Sequence, residues 1–235
     1  MHSLPFLQPR RFIRLLLAAM LVVPALSFRG DLAGKDLTVS YSIKVSTRRG
    51  DAGKGETYNG GIQTLFISEG LVRLRLVSLM RTQSIFILPG SDPGQTAAVV
   101  RESGKTKYKY YLSSKDWILY NESYKDATCR FDKETTTLLN YPCQKATITL
   151  KDGRILTLYY TTAVRNAGLA AAEPVFSCIP GLVLKYEYSY KKGTITYTAT
   201  HIDHGRINPD VFKVPSRGYT LKEYSPGQET KTRRH

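Results

Sequence analysis

From residue 37 onward the chain alternates apolar and polar side chains in short runs separated by turn residues, a period of two that predicts β-strands. Three hairpins stand out. Around Glu69-Gly70, Leu65, Ile67, Val72, Leu74 and Leu76 fall on one face when Ile67 pairs with Val72 and Leu65 with Leu74, leaving Arg73 and Arg75 on a wet face. Around Asp152-Gly153, the runs Ala146 to Leu150 and Ile155 to Thr161 predict a type I′ hairpin; apolar residues on both faces suit a central pair covered on both sides. In the third, Leu182, Leu184, Tyr186, Tyr188 and Tyr190 run up to Lys192-Gly193, and Ile195, Tyr197 and Ala199 run down. A two-residue turn at Lys192-Gly193 would pair Tyr190 with Ile195, Tyr188 with Tyr197 and Tyr186 with Ala199, giving one broad tyrosine and aliphatic face.

Further strands are predicted at Leu37 to Val45, Ser84 to Leu88, Ala97 to Arg101, Lys107 to Leu112 and Trp117 to Asn121. Arg48 to Gly61 and Pro89 to Gly94 are rich in turn residues. Helix is scarce: an Ala-rich stretch from Gly168 to Glu173 stops at Pro174, and Pro209 to Phe212 suits one turn. About ten strands with no strand–helix–strand alternation predict a mainly β fold, a single large antiparallel sheet curved over a core or closed into a barrel.

The first 27 residues break this pattern. Arg10, Arg11 and Arg14 precede an apolar run from Leu15 to Leu26, and Ala25-Leu26-Ser27 has the small-x-small form of a cleavage site, so residues 1–27 read as a signal peptide cut between Ser27 and Phe28. The apolar run is about 12 residues and includes Pro24, short of the roughly 20 a spanning helix needs. No transmembrane span is expected once it is removed. The expected organisation is one β-rich domain over 28–225 and a disordered basic tail over 226–235, with the mature protein periplasmic or secreted. Arg10-Arg11 leaves both general and twin-arginine export open.

Export changes the meaning of the charge. The chain has 34 Lys and Arg against 19 Asp and Glu; with the three arginines of the address removed, 31 against 19 leaves +12. Such a surface attracts anionic partners. Outside the cytoplasm these are lipid headgroups, lipopolysaccharide or glycans, and nucleic acid is not expected. The Lys and Arg residues are scattered, and the one dense group, Lys231, Arg233 and Arg234, lies in the tail.

Several segments resemble a known family. Asp132-Lys133-Glu134-Thr135, then Asn140-Tyr141-Pro142-Cys143-Gln144-Lys145-Ala146, then Tyr159-Tyr160-Thr161, then Cys178-Ile179-Pro180-Gly181-Leu182-Val183-Leu184 are similar in order and spacing to the GLPGLI family of exported bacterial proteins, found chiefly in Bacteroidota. Asn140 stands where that family has Gly, and Cys178-Ile179 replaces the first Gly-Leu of its name motif. The ending from Ile207 to Tyr219, with Asp210, Phe212, Pro215 and Gly218-Tyr219, resembles the close of proteins with the lipoprotein-carrier, LolA-like, fold. The resemblance implies an unclosed half-barrel with a few short helices against its concave face. It carries no established activity.

Candidate chemistry is sparse. His201-Ile202-Asp203-His204 is the best metal-like group, with His201 and Asp203 on one strand face and His201, by the hairpin register, on the tyrosine face; a partly buried, hydrogen-bonded histidine is the plainer reading. Ser177 and Cys178 lack a nucleophile elbow or a fixed base. Asp132 and Glu134 lie among polar turn residues, and Gly50, Gly53, Gly55, Gly60 and Gly61 do not open a helix as a phosphate loop would. Pro180-Gly181 reads as a turn in which Gly supplies positive φ or a close backbone approach. Of the three cysteines, Cys129, Cys143 and Cys178, two can pair in an oxidising compartment; Cys129 with Cys143, across the turn-like segment Asp132 to Thr136, is the candidate pair.

No catalytic residue and no cofactor is therefore expected. The leading expectation is an exported, non-enzymatic half-barrel that binds a lipid-like or amphipathic ligand over Leu184, Tyr186, Tyr188, Tyr190 and Tyr197. The alternative is a structural protein of the envelope that contacts another protein or an anionic glycan. The tyrosine face itself reads either as a groove or as ordinary core, and core is favoured for most of its rings.

Overall fold

The computed structural model describes residues 36–47, 57–90, 95–190 and 193–226, without the side chain of Tyr190. The predicted signal peptide and Ser27–Phe28 cleavage site, Gly50, Gly53, Gly55 and almost all of the predicted basic tail lie outside the described residues.

Strands β1 (Asp36–Thr47), β2 (Ile62–Ser68), β3 (Leu71–Val77), β4 (Thr82–Ile87), β5 (Ala97–Ser103) and β6 (Thr106–Leu112) form one antiparallel meander. Strands β7 (Thr128–Leu138), β8 (Tyr141–Thr149), β9 (Ile155–Thr161), β10 (Leu182–Tyr190) and β11 (Gly193–Asp203) form a second. The two join where β1 pairs with β11, and the short β12 (Thr220–Leu221) adds in parallel to β6. Among the described residues the result is one curved, open sheet of twelve strands, in the order β12-β6-β5-β4-β3-β2-β1-β11-β10-β9-β8-β7. It has two edges, so the barrel alternative does not hold.

Alternation sets which face is core. On β1, Leu37, Val39, Tyr41 and Ile43 are buried, and they meet Leu65, Ile67 and Val72 of β2 and β3, Ala146, Ile148 and Leu158 of β8 and β9, and Leu184, Tyr186, Ile195 and Tyr197 of β10 and β11. Leu74 and Ile87 carry this core into a second cluster around Ile85, Val99, Tyr110 and Tyr120.

Two helices lie on that face. Helix α1 (Ser114–Tyr120) occupies the place where a strand over Trp117 to Asn121 was predicted. The aromatic and β-branched residues there suit a strand, but Ser113 and Asp116 form a capping box, each side chain accepting the other's backbone N–H at 3.2 Å. Helix α2 (Gly168–Ala172) ends before Pro174, as expected, and runs into a 3-10 turn, Pro174–Phe176. Gly168 lets α2 sit on the sheet: a Cβ there would come within 2.6 Å of Ile67 and 3.2 Å of Val72.

The opposite face of β3–β6 is not wet. The segment after β11, which includes the 3-10 turn Pro209–Phe212, lays Val214 and Tyr219 over Phe86, Ala98 and Val100. Arg73, expected in solvent, donates to the Val211 carbonyl (2.9 Å) and to Ser84 Oγ (3.1 Å), with its guanidinium 4.9 Å from the Phe86 ring centre. Buried Lys109 donates to the Pro215 carbonyl at 2.6 Å.

The first hairpin has the predicted register, with Glu69 and Gly70 both at positive φ. The second is a three-residue loop: Thr149 faces Ile155, Leu150 N–H donates to the Arg154 carbonyl, and only Gly153 has positive φ, so it is not type I′. Nor is it central. β8 adjoins the edge strand β7 and β9 is next to β8, and their outer face carries Lys145 and Tyr159, both bonded to Glu134 at 2.6 Å. In the third hairpin Tyr190 faces Gly193, so every pair is displaced by two residues from expectation: Tyr188 faces Ile195 and Tyr186 faces Tyr197. A two-residue displacement preserves the face of each side chain. Gly193 packs where a Cβ would collide with the Ser46 carbonyl of β1, which draws Gly193 into the strand and out of the turn.

Candidate functional site

Two neighbouring features compose the site, a buried polar network beneath α2 and an open crevice beside it. The network starts from a conflict in the sequence: Gln63 holds a core position in the alternation Gln63, Leu65, Ile67. A buried amide needs partners. Its Nε2 donates to Tyr186 Oη at 3.2 Å and to Glu173 Oε1 at 3.4 Å, and Tyr186 Oη donates to the same carboxyl oxygen at 3.4 Å. Pro174 ends α2 so that Glu173 caps it and turns into this space.

The rings around the network are packed together. Tyr186 stacks on Tyr197 with centroids 4.4 Å apart, and Phe176 and Tyr41 meet its edges at 5.0 and 6.4 Å. Tyr197 is hydrogen-bonded to Tyr188. Tyr41 Oη donates to the Val183 carbonyl at 2.8 Å, beside the bulge that Leu184 makes in β10. Burial raises the hydroxyl pKa values of Tyr41, Tyr186 and Tyr197 well above the ordinary tyrosine value and that of Tyr188 to about 12. Burial likewise raises the Glu173 carboxyl to about 7, against the downward pull of its two hydrogen bonds.

The tyrosine face is thus interior. Leu184, Tyr186 and Tyr197 are buried and Tyr188 is half-buried, with Phe176 of the segment after α2 on Tyr186. Among the described residues, Phe176 of the 3-10 turn covers Tyr186, where a ligand was expected. The side chain of Tyr190 lies outside the described residues.

An open space lies beside α2. A crevice of about 740 Å³ lies between the β2–β3 turn (Glu69, Gly70), the approach to α2 (Arg165, Asn166, Ala167), α2 itself (Leu169, Ala170) and Ile179-Pro180-Gly181. Its lining is largely apolar, with Arg165 and Glu69 as the charged members. Gly181 owes its place to a close approach and not to positive φ: a Cβ would run into the Thr161 carbonyl.

The remaining sequence candidates do not converge. A bulge at Thr200 in β11 shifts the alternation, so His201 pairs with Ser40 and points to solvent instead of joining the tyrosines, while Ile202 takes the core side. Asp203 accepts the Gly205 N–H at 2.8 Å, and both ring nitrogens of His204 are enclosed without a hydrogen-bond partner among the described residues. Among the described residues no three His, Cys, Asp or Glu side chains gather as metal ligands would. Cys129 is bonded to Cys178, with Cα atoms 6.5 Å apart, and Cys143 is buried and free. The Cys129–Cys143 pairing fails because Asp132 to Thr136 is not a turn: β7 runs through it with a bulge, and the chain reverses at Leu139-Asn140, both at positive φ. Cys129 therefore faces Ile148, and Cys143 faces Thr136.

Sequence reasoning missed Gln63, Glu173 and Tyr41, and the crevice residues Arg165 and Leu169. Gln63 had a readable signal, a polar side chain in a core alternation. Arg165 and Leu169 had none, since their partners are brought by the β2–β3 turn about a hundred residues earlier.

No family model matches the chain, and no curated protein matches it in sequence. Among solved structures it is similar to PNGF-II at 13% identity and a TM-score of 0.48, over 81% of this chain and 32% of that one. It is similar to MucB at 12% identity and a TM-score of 0.35, over 82% of this chain and 62% of that one. It is also similar to the Mycobacterium tuberculosis lipoprotein LppX at 10% identity and a TM-score of 0.30, over 76% and 92%. The chain spans about a third of the length of PNGF-II. No helix among the described residues is long and apolar enough to cross a membrane.

Proposed function

We propose that the protein is an exported, non-enzymatic binding protein of the cell envelope, a member of the GLPGLI-like group, that takes an amphipathic, lipid-like ligand in the crevice beside α2. The observation that carries this reading is the crevice: Leu169, Ala170, Ile179 and Pro180 offer an apolar bed for an acyl chain, and Arg165 offers a cation to an anionic head. The address in residues 1–27 and the resemblance of Asp132 to Leu184 to an exported family support the envelope. The network of Gln63, Tyr186 and Glu173 then ties the C-terminal end of α2 to the sheet.

Native mass spectrometry of protein purified from the envelope, with displacement of a fluorescent fatty acid, tests the reading. Bound lipid and saturable displacement are expected. Ala170→Trp, an exposed position that fills the crevice, should weaken binding about tenfold or more while leaving the melting temperature nearly unchanged. A protein that carries no lipid and takes up no fatty acid, or an Ala170→Trp protein that binds as well as the wild type, would overturn it.

A further inference from the structure

The hairpin between β3 and β4 has a two-residue loop, Leu79-Met80. Ser78 and Arg81 close a tight turn, with Ser78 N–H donating to the Arg81 carbonyl at 2.8 Å and Ser78 Oγ to the same carbonyl at 3.2 Å. The neighbouring β5–β6 hairpin braces it, Ser103 Oγ donating to the Met80 carbonyl at 3.1 Å. What this fixed turn presents is Leu79, 87% exposed, and Met80, 59% exposed. Ile62, at the start of β2 and paired with Val77, is exposed at the same end of the sheet. Single exposed apolar residues are ordinary, but two consecutive ones at the apex of a braced turn are not explained by folding, which gains nothing from holding them in water.

Among the described residues, the charges around the apex are of one dominant sign. Arg81 closes the turn and is anchored on the Tyr58 hydroxyl at 2.9 Å; Lys105 is at the tip of the adjoining β5–β6 turn, and Lys107 one residue into β6. The acid among the described residues here, Glu102, is held by Lys107 at 3.1 Å and accepts from the Tyr219 hydroxyl. Apolar side chains at a protruding tip, ringed by cations, match a surface that is apolar below and anionic above. A lipid bilayer with acidic headgroups has that layered chemistry, and the net positive charge of the chain favours the same encounter. A protein partner would require a shaped apolar recess for Leu79 and Met80; a bilayer requires none.

We infer that the β3–β4 tip is a membrane-contact element, inserting Leu79 and Met80 into the headgroup–acyl boundary of an anionic membrane while Arg81, Lys105 and Lys107 meet the headgroups. Binding is peripheral and reversible. It is independent of whether the crevice beside α2 holds a ligand.

The test is co-sedimentation of the purified full chain with vesicles of phosphatidylcholine alone or of equal parts phosphatidylglycerol and phosphatidylcholine. Binding to the mixed vesicles only, weakened by moderate salt, is expected. The Leu79→Asp/Met80→Asp protein should bind about tenfold or more weakly with an unchanged melting curve, since both positions are exposed. Lys105→Glu/Lys107→Glu should weaken binding comparably at low salt and less at high salt. Equal binding of wild type and the Leu79/Met80 variant, or no preference for phosphatidylglycerol, would overturn the inference. Equal loss in the lysine variant without loss in the Leu79/Met80 variant would do so too, by reducing the contact to charge alone.

Discussion

Glu173 shows how one side chain ties the fold to pH. In the unfolded chain its carboxyl loses its proton near 4.5, and in the fold only near 7, because burial among Tyr41, Tyr186 and Tyr197 disfavours the charged form. Between those values the unfolded state binds fewer protons than the folded one, so stability should fall as pH rises from about 4.5 to 7 and level off above. The surrounding hydroxyls titrate far above this window and stay neutral within it. Glu173→Gln keeps an acceptor for Gln63 and Tyr186 but removes the charge. Its melting temperature should match the wild type near pH 4.5 and exceed it by about 3 °C or more at pH 8. Calorimetry across this range checks the sign: a wild type that gains stability from pH 5 to 7 relative to the variant would show that the carboxyl is stabilised, not penalised, as an anion.

At the scale of elements, the disulfide fastens an edge. Cys129 opens β7, the outermost strand of its meander, and Cys178 lies in the link between α2 and β10, so a 49-residue separation is closed across β8 and β9. A loop of that length implies a contribution of up to about 4 kcal/mol. Cys129→Ser/Cys178→Ser should therefore lower the melting temperature by around 10 °C, whereas Cys143→Ser should leave the bond intact. Alkylation gives an independent reading: burial raises the Cys143 thiol pKa, so the native protein should react slowly, take one label when unfolded and three when also reduced. One label on a folded, rapidly reacting protein would contradict the pairing. The same elements mark how far the sequence was legible. Period-two alternation found most strands and the tyrosine face, because it reports which side of a sheet is buried. It did not find registers reliably, since Lys192-Gly193 and Asp152-Gly153 look like two-residue turns until Gly193 is needed against β1 and Gly153 alone takes positive φ. It misread Trp117 to Asn121 because strand-prone side chains outweighed the Ser113 and Asp116 cap. The cysteine pairing and the crevice depend on segments far apart in sequence, and nothing local encodes such contacts.

At the scale of the whole molecule, the topology separates a centre from two margins. Each meander is built from local hairpins, but the sheet becomes one only when β1 reaches β11, pairing Thr47 with Gly193 and Thr38 with Asp203. This long-range pairing is buried in the main core through Leu37, Val39, Tyr41 and Ile43 on one strand and Ile195, Tyr197 and Ala199 on the other. At the margins, β12 contributes two exposed residues, and β7 is mostly exposed and interrupted by a bulge after Phe131. Opening either margin exposes little apolar surface, whereas separating β1 from β11 opens the core and amounts to global unfolding. Hydrogen exchange should then be slowest in β1, β10 and β11, near the limit set by overall stability, and fastest in β12. β7 should lie between them, held by the disulfide, and reduction of Cys129–Cys178 should accelerate exchange in β7 far more than in β1. If β1 and β11 exchanged as fast as β7 in the oxidised protein, the joint between the meanders would be a hinge and not the centre of stability.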